Sequence, residues 1–282
     1  MRVAHDAPER PFLDRYWNES RRPLNILAFL LPLIVAYEIG LFLLLPDHRA
    51  LLTNLAHETV MRFFAVFGVH LGLSLPAIVL VIVLLAWQVL SRDRWRIDPP
   101  TLFGMGLESI LLVVPLLVIG QVIARSLPAL MPVAGPDDLA QLAQLARVPD
   151  VAQAMQPAAI DRHIGDLSLL DRITVSLGAG IYEELVFRML LVAVLAALLV
   201  DVGRASTGVG STVAVVVAAA VFTWYHPLVN DDGALSIQRV AFYFIAGLYF
   251  GAIFVVRGFG VAAAVHAFYD IAVAVFLLPR HA

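Results

Sequence analysis

Three short stretches set acid–base side chains inside otherwise apolar sequence. GIYEELVFRML (Gly180 to Leu190) carries Glu183, Glu184 and Arg188, FTWYHP carries Phe222 and His226, and HAFYD carries His266 and Asp270. A charge at mid-bilayer costs about 2.5–3.5 kcal/mol on insertion scales, so three in one helix facing lipid would cost roughly 10 kcal/mol. They are expected to face the bundle interior or a wet cavity. Spacing separates their jobs. Glu184 and Arg188 lie four apart, share a helix face and can pair. Glu183 is turned by about 100° from Glu184 and stays available for something else. The Phe222 ring can pack against the His226 imidazole, and Pro227 disfavours helix at His226 and ends that helix. His266 and Asp270 again share a face, where a carboxylate can orient an imidazole or accept from a ligand. A carboxylate base, two imidazoles and a further carboxylate are enough for water-activated hydrolysis of an amide. Each group also has a plainer reading. A lone intramembrane histidine can be a helix–helix hydrogen bond, Glu184 with Arg188 a structural clamp, and Asp270 a cap. Three such pairs in order on the late helices argue against coincidence.

The elements that must position these residues are hydrophobic spans. Of the 282 residues 61% are hydrophobic, with a mean hydropathy of +0.86, against about half in soluble domains. That excess defines an all-α, polytopic transmembrane helical bundle rather than a large soluble core. Apolar runs place spans at 24–45, 67–91, 107–132, 168–200, 209–227, 238–256 and 260–279. That is about seven helices, or eight if one more is hidden. Segment 168–200 is too long for one straight crossing. Its amphipathic start, SLLDRITVSLGAG, is expected to lie partly at the interface, and 51–66 reads as another interfacial helix. The chain divides into a polar tail (1–23), an N-terminal group of spans with a long loop (24–166) and a C-terminal core (167–282) that holds all three motifs. The tail lacks the short apolar core and cleavage site of a signal peptide. It carries Arg2, Arg10, Arg15, Arg21 and Arg22, and the second connection carries Arg92, Arg94 and Arg96. The arginine bias makes the tail cytoplasmic, with Arg204 and Arg257 on the same side if the spans alternate. Seven spans then put the C-terminus outside. The loop from Val133 to Asp166 has apolar residues at helical spacing and reads as a solvated helix or a lid. Glu38, Gln121 and Arg125 read as scaffold. One expectation is awkward. With straight helices His226 and His266 differ in depth by more than roughly 10 Å, so they meet only if helices tilt or the fifth span ends below the surface at Pro227.

Composition excludes several chemistries. A formal net charge of −3 gives no reason to expect nucleic acid. Lysine is absent, which removes Schiff-base catalysis, and cysteine is absent, which removes thiolate nucleophiles, thiolate metal sites and disulfides. No H-E-x-x-H zinc motif and no G-x-S-G nucleophile turn occurs, and Tyr269–Asp270 has no following G-x-G-D partner. A proton-coupled transporter would also use intramembrane Glu, His and Asp, but no internal repeat supports one.

The order E-E-x-x-x-R, F-x-x-x-H, H-x-x-x-N/D on successive late helices resembles the CPBP family, the CAAX-prenyl-endopeptidase and bacteriocin-processing (Abi) intramembrane proteases. The resemblance spans about 168–279 and rests on EELVFR, FTWYH and HAFYD. It implies that Glu183 with His226 activates the attacking water, and that His266 and Asp270 stabilise the tetrahedral oxyanion. Glu184, Arg188 and Phe222 support the site. Asn is usual at the last motif position. An ionised Asp270 would repel an oxyanion, so it is either protonated or holds His266 as the donating imidazolium. The second is preferred. The family is described both as metal-dependent and as glutamate-type. A metal-free glutamate mechanism is favoured and no cofactor is expected, with zinc on His226, His266 and Glu183 as the alternative. The expected partners are a peptide or protein substrate in the membrane and the lipid bilayer itself. The expected location is a bacterial inner membrane, and the substrate a membrane-associated or C-terminal-tail peptide. The competing reading is a non-proteolytic family member that binds or regulates another membrane protein.

Overall fold

The computed structural model describes residues 12–43, 74–130, 167–230 and 234–277, together with 60, 61 and 65. Its regular elements are helices: α1 (Phe12–Glu19), α2 (Pro23–Leu43), α3 (Leu75–Ser91), α4 (Pro99–Leu130), α5 (Leu169–Val202), α6 (Thr207–Tyr225), α7 (Ile237–Arg257) and α8 (Phe259–Ala272, continued by a π-helical turn Val273–Leu277). The described residues are all-helical, with six helices among them, α2 and α4 to α8, long and apolar enough to cross a membrane. The seventh expected span corresponds to the shorter α3, whose 17 residues follow Ser74 at the N-cap with Pro76 in the first turn. Most of the expected interfacial helix 51–66 lies outside the described residues, as do the loop helix in 133–166 and residues 1–11 and 278–282.

Local chemistry sets the helix ends. Ser168 starts α5 with a reciprocal capping box, its hydroxyl accepting from the Asp171 amide at 3.2 Å while the Asp171 carboxylate accepts from the Ser168 amide. Ser206 and Ser236 cap α6 and α7 in the same sense. Gly258, at φ +87°, makes the corner between α7 and α8, a backbone conformation that a side chain would strain.

α5 departs from expectation. It is one helix of 34 residues, widened by π-helical turns at Leu185–Val192 and Leu198–Val202. Thr174, Ser176, Leu177, Ile181 and Tyr182 are buried in the bundle, while Leu190, Leu198 and Val202 of the second half are exposed. Polar residues of the first half find partners along the helix and on α8. Arg172 donates to the Leu167 and Ala274 carbonyls, and the Thr174 hydroxyl donates to the Leu170 carbonyl.

α8 is the core of the bundle. Phe259, Val261 to Val265 and Ala267 are fully buried, and α2, α4, α5 and α7 surround the helix. Small residues make this density accessible to backbones. A Cβ at Gly180 would run into the Ala267 backbone, so α5 and α8 approach most closely three residues before Glu183.

Candidate active site

The site is assembled where α5, α6, α7 and α8 meet. α5 supplies Glu183, Glu184 and Arg188. Arg188 Nη1 lies 2.8 Å from Glu184 Oε1, with both side chains essentially inaccessible. The pairing expected from the four-residue spacing thus survives the π-helical widening that begins at Leu185. A buried guanidinium needs more than one carboxylate. Arg188 Nη2 also donates to the Gly247 carbonyl of α7 at 3.2 Å. Its Cζ lies 4.3 Å from the Phe222 ring centroid and 5.4 Å from that of Phe250, close enough for attraction to the ring faces.

Glu184 has a second duty that spacing did not reveal. Its Oε1 accepts from His266 Nδ1 at 2.9 Å. An ionised carboxylate only accepts, so Nδ1 carries a proton and Nε2 is the working nitrogen of His266. That Nε2 is 3.8 Å from Glu183 Oε2 and 3.5 Å from Asp270 Oδ2. Phe250 lies over the imidazole at 4.4 Å with the planes 18° apart. Asp270, with 28% of its side chain exposed, is the most accessible of these groups.

His226 reaches the same point from the end of α6. The helix stops at Tyr225 and His226 is extended, φ −90°, ψ 159°, as a residue before proline prefers. Its Nδ1 donates to the Phe222 carbonyl at 2.7 Å, which leaves Nε2 3.7 Å from Glu183 Oε2. Phe222 and Tyr243 flank the ring at 4.3 and 4.1 Å. The anticipated depth mismatch does not keep the two histidines apart, since both Nε2 atoms lie within 3.8 Å of Glu183 Oε2. Beyond His226 the chain turns back through an isolated antiparallel bridge between Val229 and Leu235. Arg239 of α7 donates there to the Pro227 and Val229 carbonyls.

Glu183 is the residue on which these groups converge. It is 6% exposed, and among the described residues its buried Oε2 has no hydrogen-bond partner. Glu183, Glu184, Arg188, Phe222, His226, His266 and Asp270 therefore share one neighbourhood. The other polar intrusions lie elsewhere. Glu38 accepts from the Ser74 hydroxyl at 2.6 Å and from Tyr182 at 3.5 Å, whereas Gln121 and Arg125 are exposed on α4. Sequence reasoning missed the contribution of α7. Tyr243, Gly247 and Phe250 recur at helical spacing on one face, but nothing in their types sets that face apart from any apolar span.

Two histidines whose Nδ1 atoms are held by a carbonyl and a carboxylate have the support usual for metal ligands. As the side chains stand, however, no three His, Asp or Glu residues among those described are grouped to hold a metal ion. The donor types suit zinc and their present arrangement does not, so no step is routed through one.

Residues 166–272 match the family described as type II CAAX prenyl endopeptidase Rce1-like. No curated protein and no solved structure matches the chain. The matched stretch starts two residues before the Ser168 cap, ends within α8 and contains every site residue above. The match covers 107 of the 282 residues, 166 to 272, and supports, at the level of the family, a CAAX-type protease domain of the CPBP type in an integral membrane protein.

Proposed function

We propose that the chain is an intramembrane endopeptidase of the glutamate type, in which Glu183 and His226 activate water without a metal ion. The observation that carries this reading is Glu183 Oε2, buried, without a hydrogen bond among the described residues and within 3.8 Å of Nε2 of both histidines. His226 Nδ1 is committed to a carbonyl, so its Nε2 offers a lone pair beside the Glu183 carboxylate. Two acceptors 3.7 Å apart are too distant for each other but suit one water that donates to both. The water oxygen keeps a lone pair for the substrate carbonyl. As it attacks, Glu183 takes the proton. The tetrahedral oxyanion is received by His266 Nε2 in the imidazolium form, which Glu184 and Asp270 hold in place. Glu183 returns the proton to the leaving nitrogen, the C–N bond breaks, and His226 Nε2 takes the second water proton as the new carboxyl group ionises, so that a carboxylate and an amine depart.

The substrate class that fits is a membrane-associated peptide or C-terminal tail, processed in a bacterial inner membrane with the N-terminus cytoplasmic. The arginines Arg15, Arg21, Arg22, Arg92, Arg94 and Arg96 at one end of the bundle support that orientation. The test compares, by mass spectrometry, peptides in membranes with wild-type protein, with Glu183→Gln and without the gene. A product present only with wild type supports proteolysis. Identical peptides in all three, with a physiological effect that survives Glu183→Gln, would leave a binding or regulatory protein. Purified enzyme is expected to stay active in EDTA and phenanthroline. Loss of cleavage restored by zinc alone would overturn the metal-free reading and make Glu183, His226 and His266 ligands.

A further inference from the structure

The family motifs lie on α5, α6 and α8 and leave α7 without a role, yet α7 touches both histidines and Arg188. Its Tyr243 ring lies over His226 at 4.1 Å and 25°. Its Phe250 ring lies over His266 at 4.4 Å and 18°. Between them the Gly247 carbonyl accepts from Arg188. The three sit on one helix face, with Tyr243 and Phe250 seven residues, or about two turns, apart. Each imidazole is held at Nδ1 by one hydrogen bond. One bond fixes an edge of a ring but not its plane, because the histidine χ2 torsion is broad. A flat aromatic face supplies the missing restraint. Resting on the protease reading above, we propose that Tyr243 and Phe250 are positioning residues that set the planes of His226 and His266, so that both Nε2 atoms stay directed at Glu183 Oε2.

The alternative is that these rings only fill the core. Two features go beyond filling. The small interplanar angles differ from the edge-on contacts of Phe187 with Phe222 and Tyr225, at 88° and 72°. Each histidine also has one stacked ring from α7, while its contacts with Phe222 are tilted at 53° for His226 and edge-on at 69° for His266. Gly247 lets it happen. A Cβ there would press on the Ala219 backbone of α6 at 2.9 Å, so its absence brings α7 close enough for Tyr243 to reach His226. The charged residues of α7, Arg239 and Arg257, engage the turn after His226 and Glu108 respectively, so the helix adds no acid–base group to the cluster.

The experiment reads ring currents on the histidines and does not need a substrate. Purified protein carrying isotope-labelled histidine is compared by NMR as wild type, Tyr243→Phe, Tyr243→Leu and Phe250→Leu, with signals assigned from His226→Gln and His266→Gln. In wild type and in Tyr243→Phe, both ring signals should be displaced from their free positions. Tyr243→Leu should move only the His226 signal and Phe250→Leu only the His266 signal. Where cleavage is measurable, Tyr243→Leu should lower kcat about tenfold with KM little changed, and Tyr243→Phe should restore it. Undisplaced histidine signals in wild type overturn the proposal even if a leucine variant fails to fold. So does a folded Tyr243→Leu with an unmoved His226 signal. Displaced signals in a protein that cleaves nothing would keep the positioning role and sink the protease reading instead.

Discussion

Glu183 and Glu184 are neighbours in the chain and opposites in surroundings. Glu184 is bound on one oxygen by Arg188 and His266, while Glu183 faces two imidazole nitrogens with an oxygen that has no hydrogen-bond partner among the described residues. The two therefore answer substitution differently. Glu183→Gln keeps the shape and loses the base, so cleavage is expected to fall by roughly 10²–10⁴-fold or more with an unchanged melting temperature. A folded, fully active Glu183→Gln would rule out Glu183 as the proton acceptor. Arg188→Ala strips a buried carboxylate of its cation, which costs about 3–5 kcal/mol, and should show first as less folded protein in the membrane. If it accumulates and melts like wild type yet is inactive, Arg188 acts on the substrate instead. The opposed directions of Glu183 and Glu184 were legible from the 100° offset alone. That Glu184 also holds His266 was not, because the partner lies 82 residues away and no local pattern encodes which of two adjacent carboxylates faces it.

Among the elements, the pairing of α5 with α8 decides whether the site exists. Glu183 and Glu184 follow Gly180 by less than two turns, and His266 directly precedes the Ala267 against which Gly180 packs. Gly180→Val should force the two backbones apart. Overpacking of this kind costs about 1–3 kcal/mol, and the same displacement would stretch the 2.9 Å bond from His266 to Glu184. Lower thermal stability and lower activity should therefore appear together, measured by unfolding in detergent and by cleavage. Stability that drops while cleavage per folded molecule holds would show that the close approach is not what aligns the site. Apolar run length found the late helices, since composition alone marks lipid-facing surface. At the start of α5 two of the polar partners, Ser168 for Asp171 and the Leu170 carbonyl for Thr174, are local and readable from spacing, whereas the Ala274 carbonyl that holds Arg172 lies 102 residues away and no local pattern encodes it.

Across the molecule, the end opposite the His226 turn is fastened by α1, a helix that no catalytic argument would have singled out. Arg257, the last residue of α7, binds Glu108 of α4 through Nε and Nη2 at 2.5 and 2.7 Å and Ser20 at 3.2 Å. Its Cζ lies 3.8 Å from the Trp17 ring centroid. Tyr16 of α1 donates at 2.5 Å to Glu108 Oε2, the same oxygen that accepts from Arg257 Nη2. Burial first, and then the hydrogen bond to Glu108, push the Tyr16 phenol up to about 12 from its usual 10.0. The sign of the pH dependence follows. The folded protein holds this proton more tightly than the unfolded chain, so the contribution is complete below about pH 10 and fades as pH rises towards 12. Tyr16→Phe keeps the ring and removes the titrating proton. It should melt lower than wild type at neutral pH, because Glu108 loses a donor, yet lose less further stability between pH 10 and 12. Melting curves across that range in detergent provide the check, with acyl or peptide cleavage at neutral pH as the control that the distant site is untouched. Parallel alkaline decline in the two proteins would mean that Tyr16 does not carry the alkaline sensitivity of this end of the bundle.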